Sequence, residues 1–157
     1  MNQYGTRAFQ KLIDYITSEQ DLDILKETIT NNVFTLVLDQ NGNHVIQKLL
    51  LILPKSKSQF LYDEITKNLI EISKIQKGNI VITKALTSAN ESQKYKLISE
   101  IVKNIDKLII DAFGNFLIQT VILYQIDEFN IKIYSYVLKN IIQLSKDKFS
   151  SHVIDKV

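Results

Sequence analysis

The octapeptides YGTRAFQK, NGNHVIQK, KGNIVITK, FGNFLIQT and FSSHVIDK begin at Tyr4, Asn41, Lys77, Phe113 and Phe149, so they follow one another at intervals of 37, 36, 36 and 36 residues. A period of this length makes the chain an array of similar units, each too small to bury its apolar face alone and stable only when stacked on its neighbours. All four glycines, Gly5, Gly42, Gly78 and Gly114, fall at one phase of the repeat, and Ser150 holds that phase in the fifth copy. A small residue suits a tight start to a helix, where a bulky side chain would crowd the preceding turn.

Pro54 is the only proline, and apolar residues recur at helical spacing in KLIDYI, LLLIL, FLYDEI, KLISEIV and YSYVLKNI. The chain is therefore predicted to be almost wholly helical, with loops at TSEQD, KSKS, SANES and QIDE. Each unit reads as a short apolar helix (VFTLVL, IEISKI, KLIID, IIQLSK), then the octapeptide helix, then a third amphipathic helix. The divisions fall at 1–31, 32–67, 68–103, 104–139 and 140–157, the first and last being partial. Val45, Ile46, Leu49 and Leu50, with Leu117, Ile118, Val121 and Ile122, are predicted to face neighbouring helices.

Within each octapeptide two polar residues stand four apart and so share one helix face: Thr6 with Gln10, Asn43 with Gln47, Asn79 with Thr83, Asn115 with Gln119, and Ser151 with Asp155. Stacking the units lines these pairs into a ladder. The residue after the first member is Arg7, His44, Ile80, Phe116 or His152, and four of these five have a flat face. Planes alternating with hydrogen-bonding edges suit unstacked bases, the planes sandwiching them and the polar groups meeting their edges. Lys11, Lys48, Lys84 and Lys156 follow the second member and are candidates for phosphate contact. Phe113, Phe149 and Tyr4, ahead of the pairs, read as packing residues.

Other function classes fit less well. The chain has 157 residues, 45% hydrophobic and 23% charged, which is enough for one continuous core, and its net charge of +2 permits an anionic partner without demanding one. With no cysteine and two histidines it has no disulfide, no thiolate zinc site and no His-rich metal site, which fits a reducing compartment. No apolar run reaches the roughly 20 residues needed to span a bilayer, and MNQYGTRAFQ lacks a signal pattern, so a soluble cytoplasmic protein is expected. Acids such as Asp14, Asp63, Glu100 and Glu128 are scattered, and no phosphate-binding glycine loop is present, so neither an enzyme nor a cofactor or small-molecule substrate is expected.

The period and the set TRAFQ, NHVIQ, NIVIT, NFLIQ and SHVID resemble the Pumilio (PUF) family over the whole chain. The resemblance implies an all-α fold: a right-handed, armadillo-like solenoid of three-helix Pumilio repeats of about 36 residues, reading single-stranded RNA one base per repeat. By that likeness Asn43 with Gln47 and Asn115 with Gln119 match the uracil pattern, with His44 and Phe116 stacking. Thr6 with Gln10 resembles the adenine pattern, although cysteine or serine is usual where Thr6 stands, and Arg7 would stack through its guanidinium plane. Ser151 with Asp155 resembles the guanine pattern, which normally uses the longer glutamate, and His152 is its stacking residue. The repeat of Asn79, Ile80 and Thr83 departs most, and little base discrimination is expected there.

The resemblance further implies binding to messenger RNA 3′ untranslated regions, with repression or decay following through recruited deadenylation or translation-repression factors. The order of signatures is similar to the family's third through seventh repeats, so the chain is expected to be a fragment whose ends fray. Two other readings stay open: a helical-repeat scaffold that binds proteins, and a divergent family member that binds RNA without strict sequence choice.

Overall fold

In the computed structural model, which describes residues 2–16 and 18–157, every regular element is an α-helix. Helices α1 (Gln3–Ile13) and α2 (Glu19–Thr30) precede three triplets: α3 (Val33–Leu38), α4 (Asn43–Ile52) and α5 (Gln59–Lys67); α6 (Leu69–Ser73), α7 (Gln76–Ser88) and α8 (Glu91–Lys103); α9 (Ile105–Leu108), α10 (Gly114–Leu123) and α11 (Asp127–Lys139). Helices α12 (Ile141–Leu144) and α13 (Ser151–Ile154) follow. Helices of equal rank stack in rows, with α1, α4, α7, α10 and α13 in one, α2, α5, α8 and α11 in a second, and α3, α6 and α9 in a third.

A recurring asparagine joins one triplet to the next. The carboxamides of Asn32, Asn68, Asn104 and Asn140 donate to the carbonyls of Thr28, Glu64, Glu100 and Tyr136 at 3.0, 2.8, 2.9 and 2.8 Å. Asparagine satisfies a terminal carbonyl of one helix with its own side chain, and so ends that helix while the next begins on the following residue. These joints leave room for only four to six residues in the first helix of each triplet.

A recurring aspartate then turns the chain into the middle helix. Asp39 Oδ1 accepts from the N–H groups of Asn41 and Gly42 at 2.9 and 2.6 Å. Asp111 does the same for Phe113 and Gly114 at 2.9 and 2.8 Å, and Asp147 for Phe149 and Ser150 at 3.0 and 2.9 Å. Ile75 holds this phase in the second full triplet and offers no acceptor. There the helix starts at once, and α7 is 13 residues long where α4 and α10 are 10.

The small residue at the glycine phase is required by close packing on the first helix. A Cβ on Gly42, Gly78 or Gly114 would stand 2.9, 2.0 or 2.9 Å from the carbonyl oxygen of Leu36, Ile72 or Leu108. At the fifth copy the Ser150 hydroxyl instead donates to the equivalent Leu144 carbonyl at 2.7 Å. Gly5 and Gly78 lie inside α1 and α7, so the helix start expected at the glycine holds only near Gly42 and Gly114.

Val45, Ile46, Leu49, Leu50, Leu117, Ile118, Val121 and Ile122 are all buried, as their spacing predicts, in one core that runs through every row. Burying such a side chain contributes about 1.5–3 kcal/mol. Three predicted loops are shorter than expected. Glu19 and Asp21, Glu91, and Asp127 with Glu128 sit in the first turns of α2, α8 and α11, where the helix dipole favours acids. KLIDYI is helical only to Ile13. Tyr4 does not pack: it is 79% exposed on α1, whereas Phe113 and Phe149 are half-buried.

Candidate nucleic-acid interface

The middle helices form one row, so their polar pairs share a surface. In α4 the Asn43 carboxamide is buried and donates to the carbonyls of Asp39 and Gln40, both at 2.9 Å. Its oxygen accepts from Gln47 Nε2 at 2.9 Å. The same network recurs in α10: Asn115 donates to Asp111 and Ala112 at 2.8 and 3.0 Å and accepts from Gln119 at 2.9 Å. Both donors of each asparagine are thus spent on the turn, and the glutamine above is held with its nitrogen toward the asparagine. Half-exposed Gln47 and Gln119 each keep one N–H and the carbonyl oxygen for an incoming group.

The flat residues lie outward. Arg7, His44, Phe116 and His152 are all exposed, and Phe116 leaves 52% of its surface in solvent, which excludes a core role. Phe116 and Gln119 of α10 form a hollow of about 320 Å³ with His152, Asp155 and Lys156. The corresponding hollow two steps back, between α4 and α7 and of about 280 Å³, is lined by Gln47, Asn79, Ile80, Thr83, Lys84 and Thr87, with no aromatic ring among them.

The remaining pairs differ. Asn79 and Thr83 are not joined; the Asn79 carboxamide crosses to the Phe113 carbonyl at 2.7 Å. The buried Thr6 hydroxyl donates to the Asn2 carbonyl at 3.0 Å, below half-exposed Gln10. Ser151 donates to the Lys148 carbonyl at 2.8 Å, and Asp155 is exposed just past α13. Among the lysines, Lys11 and Lys156 are exposed and Lys84 half-exposed, while the Lys48 amine is bound to Asp14 and to the Gln10 carbonyl.

Asp39, Asp111 and Asp147 seat this surface and are not among the residues expected from the repeat pattern, although each stands four residues before the pair, at Asn43, Asn115 or Ser151. The Ser150 backbone N–H foremost, then its hydroxyl and the Phe149 N–H, holds the Asp147 carboxyl below the usual range against the opposing effect of burial.

The family model described as the Pumilio-family RNA binding repeat matches residues 1–29, 32–66, 68–102 and 140–157, more than half of the chain. The chain belongs to the Pumilio family. This is a family of RNA-binding repeats and not of enzymes. The triplet α9 to α11 falls outside those matches but carries the same Pumilio turn and pair.

Among solved structures, the Puf4 RNA binding domain bound to an HO endonuclease RNA 3′ UTR recognition sequence superposes with a TM-score of 0.90 at 34% identity, over 99% of this chain and 49% of that one. The RNA-binding domain of yeast Puf5p bound to SMX2 RNA gives 0.88 at 36% identity, over 99% and 45%. Suppressor protein MPT5 of Saccharomyces cerevisiae is 42% identical over 69 residues, 40% of this chain and 8% of that protein. A Pumilio domain-containing protein of Schizosaccharomyces pombe is 42% identical over 62 residues, 40% and 9%. The chain thus spans about half of the solved domains and under a tenth of these two curated relatives. Among the described residues no helix is long and apolar enough to cross a membrane, and no group of three or more His, Asp or Glu side chains is placed to hold a metal ion.

Proposed function

We propose that this chain binds single-stranded RNA along the row α1, α4, α7, α10 and α13, one base per repeat. The observation that carries this reading is the identical seating of Gln47 on Asn43 and Gln119 on Asn115, each beside an exposed ring, His44 or Phe116. A glutamine fixed in one orientation meets a base edge with one donor and one acceptor at little cost in lost freedom, and the ring supplies a stacking face. With RNA antiparallel to the chain, Ser151 with Asp155 reads guanine, Asn115 with Gln119 and Asn43 with Gln47 read uracils, and Thr6 with Gln10 reads adenine. The site is 5′ GUNUA 3′, with N opposite Asn79 and Thr83.

The solved relatives are bound to RNA, one of them to a 3′ UTR recognition sequence. The target class here is accordingly cytoplasmic messenger RNA, recognised in its 3′ untranslated region, with repression or decay following through recruited deadenylation or translation-repression factors. Selection of bound RNAs from a random pool tests the reading. Two uracils flanking an unread position are expected, and a consensus without either uracil overturns it. Changing Asn43 and Gln47 together to Ser and Glu should move the preference at that register from uracil to guanine. Equal loss for all four bases would instead assign the pair a general structural role.

A further inference from the structure

We infer that Asn79 is a positioning residue for the neighbouring repeat and reads no base of its own, an assignment that rests on the RNA-binding reading. The difference begins at Ile75, which stands where the other repeats carry Asp39, Asp111 and Asp147. Where an aspartate opens the turn, the carbonyls four and three residues before the asparagine lie beside its side chain, and Asn43 and Asn115 spend both amide hydrogens on them. Without that turn α7 is regular from Gln76, and the backbone N–H of Asn79 bonds the Ile75 carbonyl at 2.9 Å, where the matching bonds of Asn43 to Asp39 and of Asn115 to Asp111 are stretched to 3.3 Å and leave those carbonyls open to the carboxamide as well. Acceptors inside a regular helix point along its axis and are already used, so the Asn79 carboxamide has no local partner. It turns outward and meets the Phe113 carbonyl at 2.7 Å.

That carbonyl also accepts the backbone N–H of Phe116 at 3.2 Å, in the last turn before the α10 ring. One oxygen therefore ties α7 to the segment that aims Phe116 and, through Asp111, seats Asn115 under Gln119. Thr83, freed from any link to Asn79, is half-buried and too short to replace a glutamine. The missing aspartate thus removes one reader and converts its asparagine into a brace for the next.

The test uses the whole chain and fluorescent RNAs containing GUNUA, with each base in turn at N and at each flanking uracil. Asn79→Asp is nearly isosteric but places an oxygen against the Phe113 carbonyl. Affinity should fall roughly tenfold whatever base stands at N. Uracil preference should shrink at the Asn115 and Gln119 register and stay intact at the Asn43 and Gln47 register. A loss confined to one base at N would make Asn79 a reader, and equal erosion at both uracil registers would make it ordinary structural support; either overturns the inference. In RNA-free protein, one Asn79 carboxamide proton should exchange slowly by NMR, and fast exchange of both overturns the brace. A protected proton in a chain that binds none of these RNAs would sustain the brace and overturn the RNA-binding reading instead.

Discussion

Lys48 on α4 reaches back one repeat to Asp14, Nζ to Oδ2 at 2.6 Å, while its amine also meets the Gln10 carbonyl at the end of α1. A lysine so held joins two repeats, and a phosphate would have to compete with a carboxylate for it. Lys84 and Lys156 occupy the same phase and form no ion pair among the described residues. Each of Lys84→Gln and Lys156→Gln should therefore lower the slope of log affinity against log salt by about 0.7, the value for one phosphate contact on a single strand. Lys48→Gln should leave the slope alone and cost up to about 1 kcal/mol of folding stability. Titration of RNA binding over a range of salt checks this, and a changed slope for Lys48→Gln alone would reverse the assignment.

Phe116→Ala should weaken RNA binding by about 1–3 kcal/mol, as expected for loss of one base stacked on an aromatic ring, and His44→Ala by a similar amount. Neither should lower thermal stability, because both side chains are exposed. Ile80→Ala should cost less, having no plane to lose. Circular dichroism melts run beside the binding assay separate the two effects; unfolding of the Phe116 variant would assign the ring to the core.

The two glycines inside helices should respond in opposite directions. Gly78→Ala places a methyl 2.0 Å from the Ile72 carbonyl oxygen, so α6 and α7 must separate, at a cost of about 1–3 kcal/mol that outweighs the gain in helix propensity. Gly5→Ala meets only the Asn2 side-chain oxygen at 3.2 Å, and should be neutral or stabilise by up to about 1 kcal/mol. Urea denaturation midpoints decide it, and an unchanged midpoint for Gly78→Ala would refute the packing argument.

Tyr62 is buried, donates to the Ala85 carbonyl at 3.0 Å, and is pushed by burial up to about 12. Its folded pKa lies above the ordinary tyrosine value near 10. The phenol therefore adds stability that is fully present below about pH 10 and is lost as the pH rises from there through about 12. The stability of wild type minus that of Tyr62→Phe, followed by denaturation from pH 8 to 12, should fall over that window. A constant difference would show that the folded protein does not perturb this hydroxyl.

The period, the all-helical repeat and the buried stripe from Val45 to Leu50 were legible because each depends on residues close in sequence. The outward placement of Phe116 and His44 could also be read, since their phase opposes that stripe. Lys48 and Asn79 could not be read in the same way: their partners, Asp14 and Phe113, lie 34 residues away on other repeats, and a local pattern carries no sign of them. Asp39, Asp111 and Asp147 also recur at a fixed phase, but the glycine three residues on, replaced by Ser150 in the last copy, marks the same helix start and masks their part in it. The glycine answers to the Leu36 and Leu108 carbonyls, and the aspartate makes the turn.

Each joint asparagine closes its carboxamide bond within four residues, from Asn68 to Glu64 or from Asn104 to Glu100, and offers the next triplet only its backbone carbonyl, which accepts from the equivalent N–H of Ile72 or Leu108. A cut just after Asn68 and another just after Asn104 would excise α6 to α8, leave the Asn68 carboxamide bond untouched, and pass its carbonyl from the Ile72 N–H to the equivalent one of Leu108. Helix α4 would then meet α10, whose contact face carries the same kinds of aliphatic side chain as α7. The joints are thus natural recombination points, at which a gene could gain or lose one triplet and its nucleotide in a single event.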